Sequence, residues 1–454
     1  MPNPGIEIIK NAGIVGAGGA GFPSHIKFDA KVDTLIVNAA ECEPLIHVDK
    51  IILQNSFERV YEGLRIAAGL TGAKRVVVAL KGKYKEAIHA IEEFKKSQSL
   101  GSSGFDFEIF KLGNFYPAGD EQVLVYEVTK RVVPEGGIPL MVGTVVTNVE
   151  TLYNVAEAME GKNVTDKFVT VNGEVNNPLT LKVPVGTPVK TLLDYCGGIK
   201  IDNYSVLDGG PMMGKLIDEK TYAVKKTTKS IIVLPSESIV IEQKLRDISR
   251  QVKRAQAICL SCRMCTDLCP RYLLGHNLFP DEMMKKMYRG KLSDDQLEKF
   301  DFAYLCCDCG LCELYSCIVD LSPRALFNYI KAELAKKEIK NPHTRKDIVP
   351  NEFGSYRKIP ITRLEKRLEI DKYDSKAPLL DFDADVNEVK VYLLQHVGAP
   401  SVPVVSKGDS VTKGQLIAGI ADGKLGANMH SSINGTVSDI APGHIIIKGG
   451  QHGQ

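Results

Sequence analysis

The sequence has no apolar run near the roughly 20 residues that a membrane helix needs. Its best ones, such as Val76–Leu80 and Ile231–Leu234, are of strand length. The start, MPNPGIEIIKNAG, lacks a basic stretch followed by an apolar one, so no signal peptide is visible. Neither sign of charge is in excess, with 57 Lys and Arg against 55 Asp and Glu, and composition gives no footprint of nucleic-acid binding. A cytoplasmic protein is expected, with no direct membrane insertion. The chain has 454 residues, 44% hydrophobic and 25% charged, which excludes general disorder and leaves room for several domains of about 100–200 residues. Cysteine is scarce outside one segment. Nine of the eleven lie between Cys259 and Cys317, leaving only Cys42 and Cys196 elsewhere. Such crowding in a reducing compartment indicates metal binding rather than a disulfide framework.

The crowded cysteines form two runs. Cys259, Cys262, Cys265 and Cys269 are spaced x2, x2, x3 with Pro270 after them; Cys306, Cys309, Cys312 and Cys317 are spaced x2, x2, x4, with Cys307 as an extra thiol. Three thiols at successive three-residue intervals wrap one face of a [4Fe–4S] cube, and in two-cluster ferredoxins the fourth cysteine of each run ligates the other cluster. That crossing assigns Cys317 to the first triplet and Cys269 to the second. The competing metal is zinc, which favours C-x2-C pairs separated by a longer arm. Cys317 is the ligand for which Cys307 is the alternative. The segment DEMMKKMYRG between the runs reads as helical. Two clusters form an electron wire, and a wire calls for a converter of two-electron into one-electron transfers, the chemistry of a flavin.

The remainder of the chain alternates in texture. Thr34–Asn38 and Arg75–Leu80 read as buried strands, and Tyr84–Lys96 as an amphipathic helix carrying Ala87, Ile88, Ile91 and Phe94 on one face. Ser97–Gly104 reads as a polar loop. Short alternating strands with Asn-Gly and Gly-Gly turns run from Lys167 to about Val233. Residues 241–335 read as helical. Residues 336–385 are charged and interrupted by proline, the mark of a solvated connector. The last 65 residues (a Pro403–Ile417 half and an MHSSINGTVSDI half) repeat strand and Lys-Gly turn like lipoyl and biotinyl carrier modules. The carrier lysine contexts are missing, so the module is read as structural or docking.

Residues 13–23, GIVGAGGAGFP, satisfy G-x-G-x-x-G through Gly16, Gly18 and Gly21, and Glu41 follows 20 residues later. The setting is wrong for a Rossmann turn, because Pro23 follows at once and no room remains for a crossover helix. A glycine loop whose bare N–H groups approach a phosphate is the reading kept. His47 and His276 lack paired ligand spacing and are read as packing or surface residues; Cys42 is read as a buried, inert thiol.

Four motifs in order, GAGGAGFPSHIK, VNAAECEPLIHVDK, YPAGDEQVLVYEVTKRVVPEGGIP and TVVTNVETLYNV, resemble the flavin-bearing subunit of respiratory complex I and, more closely, the RnfC family. The resemblance implies a multidomain α/β protein: an FMN-binding α/β domain (1–162), a β-grasp SLBB domain (163–238), a helical two-[4Fe–4S] ferredoxin domain (239–335), a connector (336–387) and a C-terminal barrel-sandwich hybrid module (388–454). It also implies site residues. Gly16, Gly18, Gly19 and Gly21 would line FMN, Lys27 would contact it, and Asn38, Glu41 and Glu43 would face the isoalloxazine and nucleotide. Gly119, Asp120 and Glu121 would close the pocket, and Asn148 with Thr151 would take the phosphate side. Complex I carries Arg where this chain has Ala17.

RnfC has its barrel-sandwich module at the N-terminus, whereas here it is C-terminal. That order and the LCELYSC spacing resemble the cobalamin reductases of propanediol-utilisation microcompartments. The implied activity is an oxidoreductase taking electrons from NADH through FMN and two [4Fe–4S] clusters to cobalamin, with an adenosyltransferase as a partner and a microcompartment as a location. The alternative is an RnfC-like subunit that delivers electrons to a partner protein. The SLBB unit, Phe168–Thr227, is by analogy the cobalamin-contact surface.

Overall fold

The structure is a computed structural model that describes residues 3–99, 105–287, 297–380 and 386–449. Its first domain is built on a parallel sheet ordered Glu108–Leu112, Arg75–Lys81, Thr34–Ala39, Thr144–Asn148. The strands are near-continuous apolar runs because both faces are covered. Leu35, Val37, Val76, Val78 and Leu80 face the helices Phe57–Thr71, Lys85–Ser99 and Val149–Met159. Ile36, Val77 and Ala79 face Glu121–Thr129 on the other side. The expected helix is present and ends at Ser99; the rest of the expected 97–104 loop lies outside the described residues.

The second unit is a β-grasp sheet. Asp166–Gly173 pairs antiparallel with Leu179–Pro184 and parallel with Ser230–Pro235, and the helix Val189–Tyr195 closes a core of Val169, Val171, Leu181, Leu192 and Ile231. The cysteine-bearing segment is helical, from Ile239–Leu245 to Pro323–Lys336; the helix expected around DEMMKKMYRG spans Pro280–Met287, and residues 288–290 lie outside the description. The C-terminal module consists of two antiparallel sheets, one of four strands and one of three.

The 336–387 segment is not the solvated connector its charge implies. Ile359–Pro360 pairs with Phe115–Tyr116 of the flavin domain, and Leu379–Leu380 extends the β-grasp sheet beside Thr180 and Leu181. Between them Ile361, Leu364, Leu368 and Ile370 are buried in a core shared with Leu45, Tyr116, Leu207 and Leu311. Its charges are not all solvated either: Glu365 is buried, and Arg345, Arg357 and Lys358 pair with Glu135, Asp267 and Glu127 of other segments.

Lys226 docks the C-terminal module. Its buried ammonium donates to the carbonyls of Gly13 at 2.8 Å and Asn428 at 2.7 Å, with Val15 packed in the module's own core. Burial lowers the Lys226 pKa to about 7, since no carboxylate offsets the lost hydration.

Candidate functional site

Asn38 and Asn148 stand opposite each other in the register of adjacent parallel strands, at their carboxyl ends. In open α/β sheets that edge is where ligands bind. Asn38 Nδ2 donates to the Gly119 carbonyl at 2.8 Å, bringing the 116–121 turn onto the strand end. Asn148 caps the helix Val149–Met159, accepting from Glu150 N, and donates to the Asp49 carboxylate at 3.1 Å. Thr151, in the first turn of that helix, accepts a hydrogen bond from Ala17 N at 3.0 Å and so ties down the glycine loop.

The loop is glycine-rich for separate reasons. A Cβ on Gly18 would fall 2.9 Å from Asn148 Nδ2, whereas one on Gly19 would meet nothing within 4 Å, which is open space for a ligand. Gly16 N closes the loop on the Phe22 carbonyl at 3.0 Å. Gly21, expected to line FMN, is instead pressed against the C-terminal module: its φ is +73°, and a Cβ there would lie 2.9 Å from the Gln395 carbonyl oxygen. The segment before the loop makes only the isolated Val15–Pro23 bridge, and the five-residue helix Ser24–Phe28 follows, so the Rossmann arrangement is absent. Lys27 reaches the same edge, donating to the Val146 carbonyl at 2.9 Å and to Glu121 at 3.1 Å.

The acidic residues divide. Glu41, buried and at φ +38°, accepts from Asp49 N at 2.8 Å and caps the helix Val48–Asn55. Burial, then the nearby Asp49, raises its pKa, and Lys229 opposes them. Glu43 is turned away from the strand edge. Its carboxylate accepts from Met212 N at 3.0 Å and Met213 N at 2.8 Å in the β-grasp domain; burial holds its pKa up. Asp120 caps Glu121–Thr129 and forms a bidentate pair with Arg271 of the cysteine domain, at 2.5 and 3.0 Å. It joins two domains where a pocket wall was expected.

The thiols gather in two sets. Cys259, Cys262, Cys265 and Cys317 line one cavity together with Leu260, Ser316 and Ile318. Cys269 faces the second run instead: Cys307 and Cys306 act on its thiol, and it acts in turn on Cys309 and Cys312. Cys307 is within hydrogen-bond reach of Cys309. Among the described residues, no three His, Cys, Asp or Glu side chains converge as ligands to one ion would. The first set surrounds a cavity, which a multi-atom cluster requires. Burial pushes the Cys265 and Cys306 thiols up to about 12, so a metal's positive charge is needed to draw off their protons. The donor set fits iron–sulfur clusters.

The first set is near the surface, with Cys262 exposed; the second abuts the flavin domain. Sequence reasoning missed Asp49, Lys229, Tyr116 and Arg271. Lys229 pairs with the buried Asp49, and Tyr116 donates to the Cys309 carbonyl at 2.7 Å. Only Arg271 carried a signal, as a charge placed two residues after a cluster cysteine. Cys42 is an inert thiol raised by burial to about 11, and burial lowers His47 to about 3 and His276 to about 4, as packing histidines.

Comparison with known proteins gives this geometry a family. Residues 9–157 match the Nuo51 FMN-binding domain, 168–216 the SLBB domain, 258–322 a 4Fe-4S dicluster domain and 370–452 the RnfC barrel sandwich hybrid domain. The chain is 38% identical over 444 residues to cobalamin reductase PduS of Citrobacter freundii, covering 97% of this chain and 95% of that one. The figure is 38% over 443 residues for the Salmonella typhimurium protein, with the same coverage. The chain belongs to the PduS cobalamin reductase family. It is an iron–sulfur flavoprotein oxidoreductase with FMN and [4Fe–4S] clusters as cofactors. A component of the Na(+)-translocating ferredoxin:NAD(+) oxidoreductase complex of Acetobacterium woodii is 32% identical over 278 residues, 60% of this chain and 59% of that one. The fold is shared with an NAD+-reducing [NiFe]-hydrogenase chain at a TM-score of 0.50 and 20% identity, over 84% of this chain and 69% of that one. No helix among the described residues is long and apolar enough to cross a membrane.

Proposed function

We propose that the protein carries electrons from NADH to cobalamin, with FMN turning a hydride into single electrons and two [4Fe–4S] clusters relaying them. The observation that carries this reading is the placement of the two thiol sets, one against the flavin domain and one at the surface. Each residue has a part in it. Gly18, Gly19, Asn148 and Thr151 hold the phosphate end of FMN, where the space beside Gly19 is open. Lys27, reaching the strand edge from its short helix, and Asn38, at a strand end, orient the ring. Glu41 fixes the local backbone against Asp49 and Lys50. Gly16 and Gly21 set the loop's shape, and Glu43 and Asp120 hold the neighbouring domains in place. Cys259, Cys262, Cys265 and Cys317 hold the outer cluster; Cys269, Cys306, Cys309 and Cys312 hold the inner one. The cytoplasm, or the interior of a microcompartment, is the proposed location.

The names of the relatives support cobalamin as acceptor, while the Acetobacterium woodii match favours the second reading, delivery to a protein. The test follows the corrin spectrum over time with anaerobic holoprotein, NADH and hydroxocobalamin, beside a control without NADH. Conversion of cob(III)alamin to cob(II)alamin is expected. Reduced flavin and clusters with an unchanged corrin spectrum would rule out cobalamin and favour the protein acceptor. FMN is expected to leave on denaturation, since its motifs cradle a phosphate and the thiol beside Gly119, Cys42, is held protonated by burial; finding FAD would overturn the flavin assignment.

A further inference from the structure

Arg271 is a buried cation wedged between two domains. Its side chain is 8% exposed and that of Asp120 13%, and their two parallel hydrogen bonds fix the guanidinium in place. On one side is the flavin domain: Asp120 follows Gly119, whose Cα faces the Cys42 sulfur. On the other are the inner thiols, with Cys307 and Cys269 both acting on the guanidinium. Cys269 itself stands at the N-terminus of the short helix Pro270–Leu273, so the backbone N–H groups of Arg271 and Tyr272 act on its sulfur in the same sense as the guanidinium. Arg271 acts on Cys307 more strongly than Asp120 does, so the pair turns its positive end towards the thiols. Among the described residues, the counterpart beside the outer set is the looser Arg263–Asp267 pair, at 3.4 Å. Arg263 in its cavity wall is 47% exposed, where water screens a charge.

We propose that the Asp120–Arg271 pair sets the reduction potential of the inner cluster, the one held by Cys269, Cys306, Cys309 and Cys312, and so makes it the collector of electrons from the flavin side. This rests on the ligand sets proposed above. An electron added to a cluster is stabilised by a nearby cation, and cluster potentials follow local charge, hydrogen bonds to sulfur and solvent exposure. Burial strengthens that effect, because the local dielectric is low. Arg271 raises the potential and Asp120 partly offsets it. The two residues are positioning groups; neither needs to touch a reacting atom.

The test is opposed substitutions. Full-length holoprotein is prepared anaerobically as wild type, Arg271→Gln, Arg271→Lys and Asp120→Asn. Iron and acid-labile sulfide per chain are measured, and each cluster's midpoint potential is read by EPR at poised potentials. Cys262→Ser identifies the outer cluster's signal. Arg271→Gln, which leaves Asp120 unpaired, should lower the inner potential. Asp120→Asn, which leaves Arg271 unpaired, should raise it, and Arg271→Lys should fall between wild type and Arg271→Gln. Damage to the interface alone would move both neutral variants in the same direction. A shift of the same sign in both, or no shift with both clusters assembled, overturns the proposal. If Arg271→Gln loses its inner cluster, the upward shift in Asp120→Asn must still be found. A wild type without two [4Fe–4S] signals overturns the ligand sets themselves, and the proposal with them.

Discussion

Tyr116 donates its phenolic hydrogen to the backbone carbonyl of Cys309 across 2.7 Å, from the flavin domain into the second cysteine run. The side chain is 1% exposed, so no water can replace the bond. Tyr116→Phe should therefore leave a buried acceptor unpaired and cost about 1–3 kcal/mol. Chemical denaturation followed by near-ultraviolet circular dichroism measures that loss; an unchanged midpoint would show that the bond does not hold the domains together.

The crossed thiol sets make Cys269→Ser a diagnostic substitution. Cys269 follows the first run in sequence but lies with the second in space. The variant should lose or alter the EPR signal of the Cys306-run cluster while keeping that of the Cys259-run cluster. Damage confined to the Cys259 run would show that each run binds its own cluster.

Gly63 lets two helices cross closely beneath the flavin site. A Cβ there would fall 1.9 Å from the Leu152 carbonyl oxygen, on the helix whose start carries Asn148 and Thr151. Gly63→Ala must push that helix outward, at roughly 1–3 kcal/mol. Thermal melting should show the destabilisation, and gel filtration should show less FMN retained per chain. A variant with wild-type FMN content would separate the helix position from flavin affinity.

His276 predicts an acid-labile interface. It is buried with a ring nitrogen on the Val133 carbonyl at 3.0 Å, and burial lowers its pKa to about 4. An unfolded chain takes up the proton at the ordinary value of 6.5, so the folded state binds fewer protons between the two. Stability is then whole above pH 6.5 and is lost as pH falls towards 4, by about 3 kcal/mol for this group. His47 acts in the same direction. Melting temperature against pH should fall over that window, and His276→Gln should flatten the fall without abolishing it.

Much of this protein was legible because its chemistry is local. A thiol at every third residue is a property of a dozen adjacent positions, and the buried strands at Thr34 and Arg75 announce themselves by unbroken β-branched runs. The strap was not legible. Ile359, Ile361, Leu364, Leu368 and Ile370 are apolar residues in charged surroundings, and what buries them comes from other domains. Glu43 and Gly21 were read into the flavin pocket because their motifs are there. Their actual neighbours, Met212 and Gln395, lie 169 and more positions away.

The sequence by itself determined the four units, the two thiol runs and the flavin motifs, since spacing along a chain dictates which ligands can share a cluster and which loop can approach a phosphate. Only the tertiary structure decided how these parts face one another. Asp120 and Arg271 are 151 residues apart and belong to different domains; nothing in either segment specifies a partner. Their pairing follows from burial. Once packing removes water from both charges, each is stable only beside the other, and where the domains close determines which two charges meet.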